Sequence, residues 1–269
     1  MESRNPVFSR SQDFAPGGYA TFGGGTASSA DLEEMYARPS ATAVQTGRMT
    51  LDDVVMRSAV LFGLLLVAAA GTYVAKPSFG VVILAMFAGL GLGLWISFSK
   101  TVRPPVMMVY ALVEGVFVGG ISAAIEQAYS ANGQGGLVPQ AVLGTLSAFT
   151  AMLVLYRTRL IRATPKFTKI LIIAGFGYLA FGLLHLVGVW LHLWPSIYAG
   201  NGLLAILASA FGVVLASLFL VLDFDFIEQG IRNGLPERYA WTAAFGLLVT
   251  LVWLYLEMLR LLAILRGND

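Results

Sequence analysis

The chain has 269 residues, of which 57% are apolar and only 12% are charged. Soluble domains carry about a quarter charged residues, so this composition excludes an ordinary soluble domain and indicates an integral membrane protein. The absence of cysteine excludes disulfides and thiolate chemistry, and the net charge of +2 gives no reason to expect a nucleic acid partner.

The first 48 residues differ in composition from the rest of the chain. Small and polar residues dominate segments such as 23–29, and the charges are scattered. Such segments bury too little apolar area to offset the entropy of ordering, so residues 1–48 are predicted to be a disordered tail. Arg4 and Arg10 are not followed by an apolar run, so the tail is not predicted to be a signal peptide.

Residues 49–269 are predicted to form one transmembrane domain. Thr50 and Asp53 have the spacing of a capping box, with Asp in place of the usual Glu, and predict the start of the first helix. Seven apolar runs follow, each of about 20 residues, which is long enough to cross a hydrocarbon core of about 30 Å. The predicted spans are residues 54–75, 79–98, 105–126, 138–157, 168–193, 202–224 and 239–262. The predicted fold class is therefore an all-α integral membrane protein with seven transmembrane helices.

The distribution of basic residues predicts the orientation. The connection between the fourth and fifth spans is strongly basic, with Arg157, Arg159, Arg162, Lys166 and Lys169. A cytoplasmic N-terminus places every Lys and Arg inside except Lys76, Arg260 and Arg266, as the positive-inside rule requires. Asp223 then lies at the cytoplasmic end of the sixth span. If the seventh span were instead a re-entrant hairpin, the C-terminus would also be inside.

No pattern in the chain predicts catalysis or a resident cofactor, and the protein is not expected to be an enzyme. Gly89 and Gly93 lie inside an apolar span, so they are interpreted as small residues that allow close helix packing. His185 and His192 have no acidic partner at helical spacing and are interpreted as packing or interfacial residues rather than metal ligands.

Carboxylates inside or beside the spans are the candidate functional groups, because a charge there costs several kcal/mol or more by most estimates. Asp223 is flanked by Leu222 and Phe224 and is predicted to be buried. Asp225, two residues later, points in a different direction on a helix. Asp223 is either part of a proton-gated path or a helix-end carboxylate bonded to a nearby Lys or Arg.

Two further carboxylates lie within spans. Glu114 is midway along the third span and must be protonated or paired there. Glu257 has Arg260 one turn later, which predicts an ion pair near the outer end of the seventh span.

Three features in this order resemble the Bax inhibitor family, which includes the YccA-like bacterial membrane proteins. These are Glu114-Gly115 within residues 110–120, the apolar span 141–157 followed by a basic loop, and Leu222-Asp223 followed by Ile227. The resemblance covers about residues 45–266. It implies six helices around a central, C-terminal seventh, and some members are pH-sensitive calcium leak channels.

The resemblance also implies a lock between two aspartates, on the sixth and seventh spans, and a basic residue at the end of the second. Asp223 is similar to the first aspartate, and Lys100 lies near the place of the basic residue. The second position falls near Thr250, and residues 240–256 contain no acid, although Asp225 could substitute from the sixth span. A single aspartate would make a weak calcium site, because calcium prefers several oxygen ligands.

The sequence and the resemblance together give two expectations for function. The first is a pH-responsive cation leak, for calcium, in a bacterial inner membrane, with Asp223 as gate, Lys100 as counter-charge and Glu114 as a polar element. The second is a non-conducting factor that binds and regulates other membrane proteins, such as a protease or a secretion complex. Membrane lipids are partners in both.

Overall fold

The computed structural model describes residues 47–130, 135–193 and 202–267. The predicted tail therefore lies outside the described residues, apart from Gly47 and Arg48. These two belong to the folded part, because Arg48 forms an isolated antiparallel bridge with Pro236. The boundary of the folded domain is thus slightly earlier than residue 49.

Seven α-helices make up the described part of the chain, and each is long and apolar enough to cross a membrane. This confirms the predicted fold class. The helices are α1 Leu51–Ala75, α2 Phe79–Phe98, α3 Pro104–Ser130, α4 Leu137–Arg157, α5 Pro165–Trp190, α6 Leu203–Arg232 and α7 Tyr239–Arg266. The last helix is continuous over 28 residues, so it is a span and not a re-entrant hairpin.

The start of α1 confirms the predicted capping box. The Thr50 hydroxyl oxygen accepts a hydrogen bond from the Asp53 backbone N–H at 3.2 Å. In return, the Asp53 carboxylate accepts one from the Thr50 backbone N–H at 2.9 Å. Two backbone donors at the helix start are satisfied in this way. The acid in the first turn also interacts favourably with the positive end of the helix dipole.

The sixth helix is longer than the predicted span of residues 202–224, because it extends to Arg232. The helix continues to Arg232 because its apolar stripe continues through the buried residues Phe224 and Ile227. On its polar side, bonds from Gln229 to Asp225 and from Arg232 to Glu228 join residues one turn apart. All three carboxylates of residues 223–228 therefore lie on a helix.

The end of α6 and the start of α7 are fastened to the segment before α1. The Met49 N–H donates to the Leu235 carbonyl at 2.7 Å, and the Glu237 N–H donates to the Gly47 carbonyl at 2.9 Å. Arg57 forms ion pairs with Asp53 and with Glu237, so it joins the first turn of α1 to the α6–α7 connection. These hydrogen bonds and ion pairs hold together the helix ends nearest to Asp223.

Helix α7 has the central position among its neighbours. It packs against α1, α3, α4 and α6, whereas α2 packs chiefly on α3 and α5 chiefly on α6. Leu248 and Val252 of α7 belong to a core with α1 and α3, while Leu247 and Leu254 belong to a second core with α4 and α6. The expected arrangement of helices around a central seventh helix is therefore formed mainly by α1, α3, α4 and α6.

Helices α1 and α3 approach each other through two glycines one turn apart, Gly115 and Gly119. A Cβ atom at Gly119 would overlap the main chain of Ala69, and one at Gly115 would overlap the carbonyl of Leu65. Small residues at this spacing let two membrane helices come into backbone contact and gain van der Waals energy where lipid gives no hydrophobic driving force. The pair thus sets the distance between α1 and α3.

We expect Gly119→Ala to lower the free energy of unfolding by about 1–3 kcal/mol, because the added methyl group has no space against the α1 backbone. The measurement is unfolding of the purified protein by sodium dodecyl sulfate in mixed micelles. Gly63→Ala on α1 is the control, since a Cβ there meets no atom within 4 Å. Equal stability of the two variants would contradict this packing.

Candidate functional site

The candidate site is built around Asp223, which lies in the second half of α6. Its neighbours Leu220, Val221 and Phe224 are buried in the core that α6 shares with α4 and α7. The Asp223 Oδ2 atom is buried and accepts no hydrogen bond from any of the residues that the structure describes. A carboxylate oxygen in this condition is costly when ionised, because neither water nor a donor compensates its charge.

Helix α7 supplies the other side of the site. The Thr250 hydroxyl donates a hydrogen bond to the Asp223 carboxylate. Gly246, one turn earlier on the same face, is also beside Asp223, since a Cβ atom there would lie 3.6 Å from Asp223 Oδ1, an ordinary contact distance. The residue that the family resemblance placed opposite Asp223 is therefore its hydrogen-bonding partner, but it contributes a hydroxyl and not a second carboxylate.

Asp225 belongs to a different surface of α6. Its carboxylate accepts a hydrogen bond from Gln229, and it lines a shallow depression together with Thr168 and Lys169 at the start of α5. Asp223 faces α7 instead. As expected, the side chains of Asp223 and Asp225 point in different directions. Within the described residues, the two carboxylates share no hydrogen-bonding partner.

Lys100 lies exposed in the connection between α2 and α3. In the described ranges, no ion pair within 4 Å joins Lys100 to Asp223 or to any other carboxylate. The nearby Arg103 stacks over the Trp95 ring at 5.5 Å from its centroid. The role of Lys100 as counter-charge stays a prediction.

Glu114 is in the middle of α3 and faces α2. It is hydrogen-bonded to Tyr110, one turn earlier on the same helix. A Cβ atom at Gly89 of α2 would lie 2.5 Å from Glu114 Oε2, and one at Gly93 would lie 3.3 Å from the Tyr110 ring. Close packing through Gly89 and Gly93 therefore makes room for this pair, in agreement with the sequence interpretation of both glycines.

The basic connection between α4 and α5 is on the surface. The residues predicted to determine topology, Arg157, Arg159, Arg162, Lys166 and Lys169, are all exposed. At the end of α6 beside it, Glu228 accepts a hydrogen bond from the Tyr156 hydroxyl at 2.6 Å and pairs with Arg232. This end of the helices thus carries a solvated network of charges, separate from the buried Asp223.

Sequence reasoning identified the ion pair of Glu257 and Arg260, which the structure confirms at 2.9 Å, but missed its surroundings. The Glu257 side chain is buried and also accepts a hydrogen bond from Trp253 Nε1 at 3.1 Å. It lines one large cavity together with His185 and Tyr178 of α5. The spacing of Trp253, four residues before Glu257, could have predicted their hydrogen bond. The position of His185 and Tyr178 beside Glu257 could not have been predicted in this way, because it depends on how α5 packs.

None of these arrangements is a complete metal centre. Across residues 47–130, 135–193 and 202–267, no group of three or more His, Asp or Glu side chains could hold a metal ion. At Asp223 the oxygen donors are the carboxylate and the Thr250 hydroxyl. Such a pair can attract a cation that keeps most of its water or finds other oxygens, but it cannot enclose one.

Comparison with known protein families identifies a match over nearly the whole chain. The family model described as Bax inhibitor 1 like matches residues 5–267, which is nearly the whole chain. No curated protein matches. The match spans all seven helices, including the Asp223 segment of α6 and its partner Thr250 on α7. The chain belongs to the Bax inhibitor 1-like family of membrane proteins.

Proposed function

We propose that this protein is a cation leak, for calcium, with Asp223 as its pH-responsive gate. The observation that carries the proposal is the buried Asp223 carboxylate between α6 and α7, with Oδ2 lacking a hydrogen-bond donor among the described residues. Ionisable groups inside membrane proteins face protein or water and mark ion or proton paths, since lipid cannot accommodate them. The path would run beside α7.

The gate works through the charge of one carboxylate. When ionised, Asp223 attracts a cation, and Thr250 contributes a third oxygen. When protonated, it offers no charge and the cation loses its main ligand. Because calcium prefers 6–8 oxygens, an ion held by so few protein ligands binds briefly, as a leak requires.

The other candidate residues have supporting roles in this proposal. Asp225, near the exposed end of α6, would concentrate cations close to the entrance. Lys100 would balance Asp223 only after a movement that brings the α2–α3 connection to α6. Glu114 is a polar element between α2 and α3, held by Tyr110.

We also propose an inner membrane location in a bacterium with the N-terminus in the cytoplasm. The support is the exposed basic connection between α4 and α5, since Lys and Arg accumulate in cytoplasmic loops. In this orientation the gate at Asp223 lies in the cytoplasmic half of the membrane, where it responds to cytoplasmic pH.

The first test is calcium flux into liposomes that contain the purified full chain. We expect flux to rise as the pH is raised, because only the ionised carboxylate attracts a cation, and Asp223→Asn to remove this dependence. Asp225→Asn is the matched control on the same helix, since it faces α5 and should retain the pH response. The gate is refuted if the native chain and Asp223→Asn respond to pH equally.

A second test restores the missing acid. We expect Thr250→Asp to increase calcium affinity and to steepen the pH dependence of flux, because two facing carboxylates hold a divalent cation better than one. Calcium binding is measured by isothermal titration alongside the flux assay. Thr250→Val, which removes the hydroxyl without adding an acid, is the control. Unchanged calcium binding in folded Thr250→Asp would remove this site from the path.

A non-conducting regulator of other membrane proteins is the second candidate. The observation that favours it is the lack of a second acid at Thr250, together with the fully buried Leu220 and Leu254 in the core between α6 and α7. Such a protein would bind a membrane protease or a secretion complex through its surface or its N-terminal region.

Removal of residues 1–46 separates the two candidates. The deletion stops before Gly47 because residues 47–49 bond to the α6–α7 connection. For a leak, we expect unchanged calcium flux in pure lipid, since every proposed path residue lies downstream. Native and truncated chains with no flux above empty liposomes, combined with loss of a copurifying membrane protein on truncation, would favour the regulator.

A further inference from the structure

A large cavity lies between α5, α6 and α7, away from Asp223. Its volume is about 730 Å³, within the range of about 300–1,000 Å³ that is usual for small-molecule sites. Its lining is mainly apolar and is rich in aromatic rings, among them Phe176, Tyr178, Phe219 and Trp253. The cavity therefore offers flat, polarisable walls to an apolar or ring-shaped occupant.

One side of the cavity is polar. Glu257 is only 3% exposed and accepts hydrogen bonds from Trp253 Nε1 at 3.1 Å and from Arg260 Nη1 at 2.9 Å. His185 is also buried and lines the same space. Because the carboxylate and the guanidinium compensate each other, this side carries polar atoms but little net charge.

The cavity opens on the outer surface of the helix bundle. Several of its lining side chains are also exposed, for example Phe176 at 69% and Leu186 at 61%. These residues belong to a helix apolar enough to cross a membrane, so the medium around them is lipid. An occupant of this cavity would enter from the bilayer and would have to be soluble in it.

We propose that this cavity binds a membrane-soluble molecule with an uncharged planar ring as head group and a long apolar tail, of the isoprenoid quinone type. The aromatic walls favour a planar ring over a bare acyl chain, since offset and edge-on ring contacts contribute beyond burial. On the polar side, Arg260 lines the cavity, and its guanidinium has N–H donors suited to hydrogen-bond ring oxygens. The compensated ion pair disfavours a charged head group, which would face no opposite excess charge.

This site does not depend on the cation path. The carboxylate of Glu257 is held by its own helix, and the cavity lies on the α5 side of α6 and α7, whereas Asp223 bonds to Thr250. Failure of the calcium flux experiments would therefore leave this proposal intact, and the reverse also holds.

The chain offers a matched pair of variants for the test. Gly182 and Gly177 are both on α5, and a Cβ atom at either meets nothing within 4 Å. Gly182 lines the cavity whereas Gly177 does not. Gly182→Leu therefore fills part of the site, while Gly177→Leu adds the same side chain to the same helix outside it.

The experiment titrates the purified full chain in nanodiscs with a benzoquinone carrying a ten-carbon tail and follows tryptophan fluorescence. We expect saturable quenching that Trp253→Phe reduces, because a ring in the cavity lies against Trp253. Gly182→Leu should weaken binding by about tenfold or more, and Gly177→Leu should not change it. Thermal unfolding confirms that each variant is folded.

Decanol, which has the tail without the ring, is the competing ligand. Weak or absent competition supports recognition of the ring. Equal competition by decanol would overturn the proposal and make the cavity an acyl-chain groove. Unsaturable quenching, or equal effects of Gly182→Leu and Gly177→Leu in folded protein, would also overturn it.

Discussion

The burial of the Asp223 carboxylate against α7 is the constraint on which the arrangement of the site depends. A membrane-embedded acid needs a donor, space and a way to lose or share its charge. Thr250 provides the donor, and Gly246 lies beside Asp223 one turn away. Both residues are on one face of α7, so the central helix must keep that face towards α6.

The same physical solution recurs at two of the intramembrane carboxylates, Glu114 and Glu257. Glu114 lies against Gly89 and Glu257 lies against Gly212, and in both cases an added Cβ atom would come within about 2.5–2.6 Å of a carboxylate oxygen. At Asp223 a glycine is not needed for space, since a Cβ atom added at Gly246 would lie at ordinary contact distance. A glycine on the neighbouring helix thus lets Glu114 and Glu257 stay inside the bundle, where protein groups instead of lipid surround their oxygens.

Much of this fold follows from the sequence because membrane helices are specified locally. Apolar runs gave the seven spans, Thr50 and Asp53 gave the first cap, and the spacing of Glu257 and Arg260 gave their ion pair. The predicted end of the sixth span, residue 224, was wrong, because the apolar run stops there whereas the helix continues to Arg232. The i,i+4 bonds of the polar residues after Asp223 and the buried Phe224 and Ile227 continue the helix.

Other parts of the site depend on how helices are packed, which a single sequence does not specify. The position near Thr250 could be placed by resemblance, but its hydrogen bond to Asp223 depends on the register of α6 against α7. The sequence has no acid one turn before or after His185, so nothing local predicts that this side chain lines the cavity beside Glu257. Its position there results from the packing of α5 on α6 and α7.

The α6–α7 interface also constrains how any cation could pass. Thr250 and Glu257 are seven residues apart on α7, which is about two turns or about 10 Å along the axis. In the core that includes this interface, Leu220 and Leu254 are fully buried and interrupt the polar positions. In the proposed leak, a hydrated cation attracted to Asp223 would meet this apolar layer, and conduction beside α7 would require α6 and α7 to separate locally. The hydrogen bond between Thr250 and the Asp223 carboxylate crosses the same interface, so the proposed gate lies where the two helices would have to part.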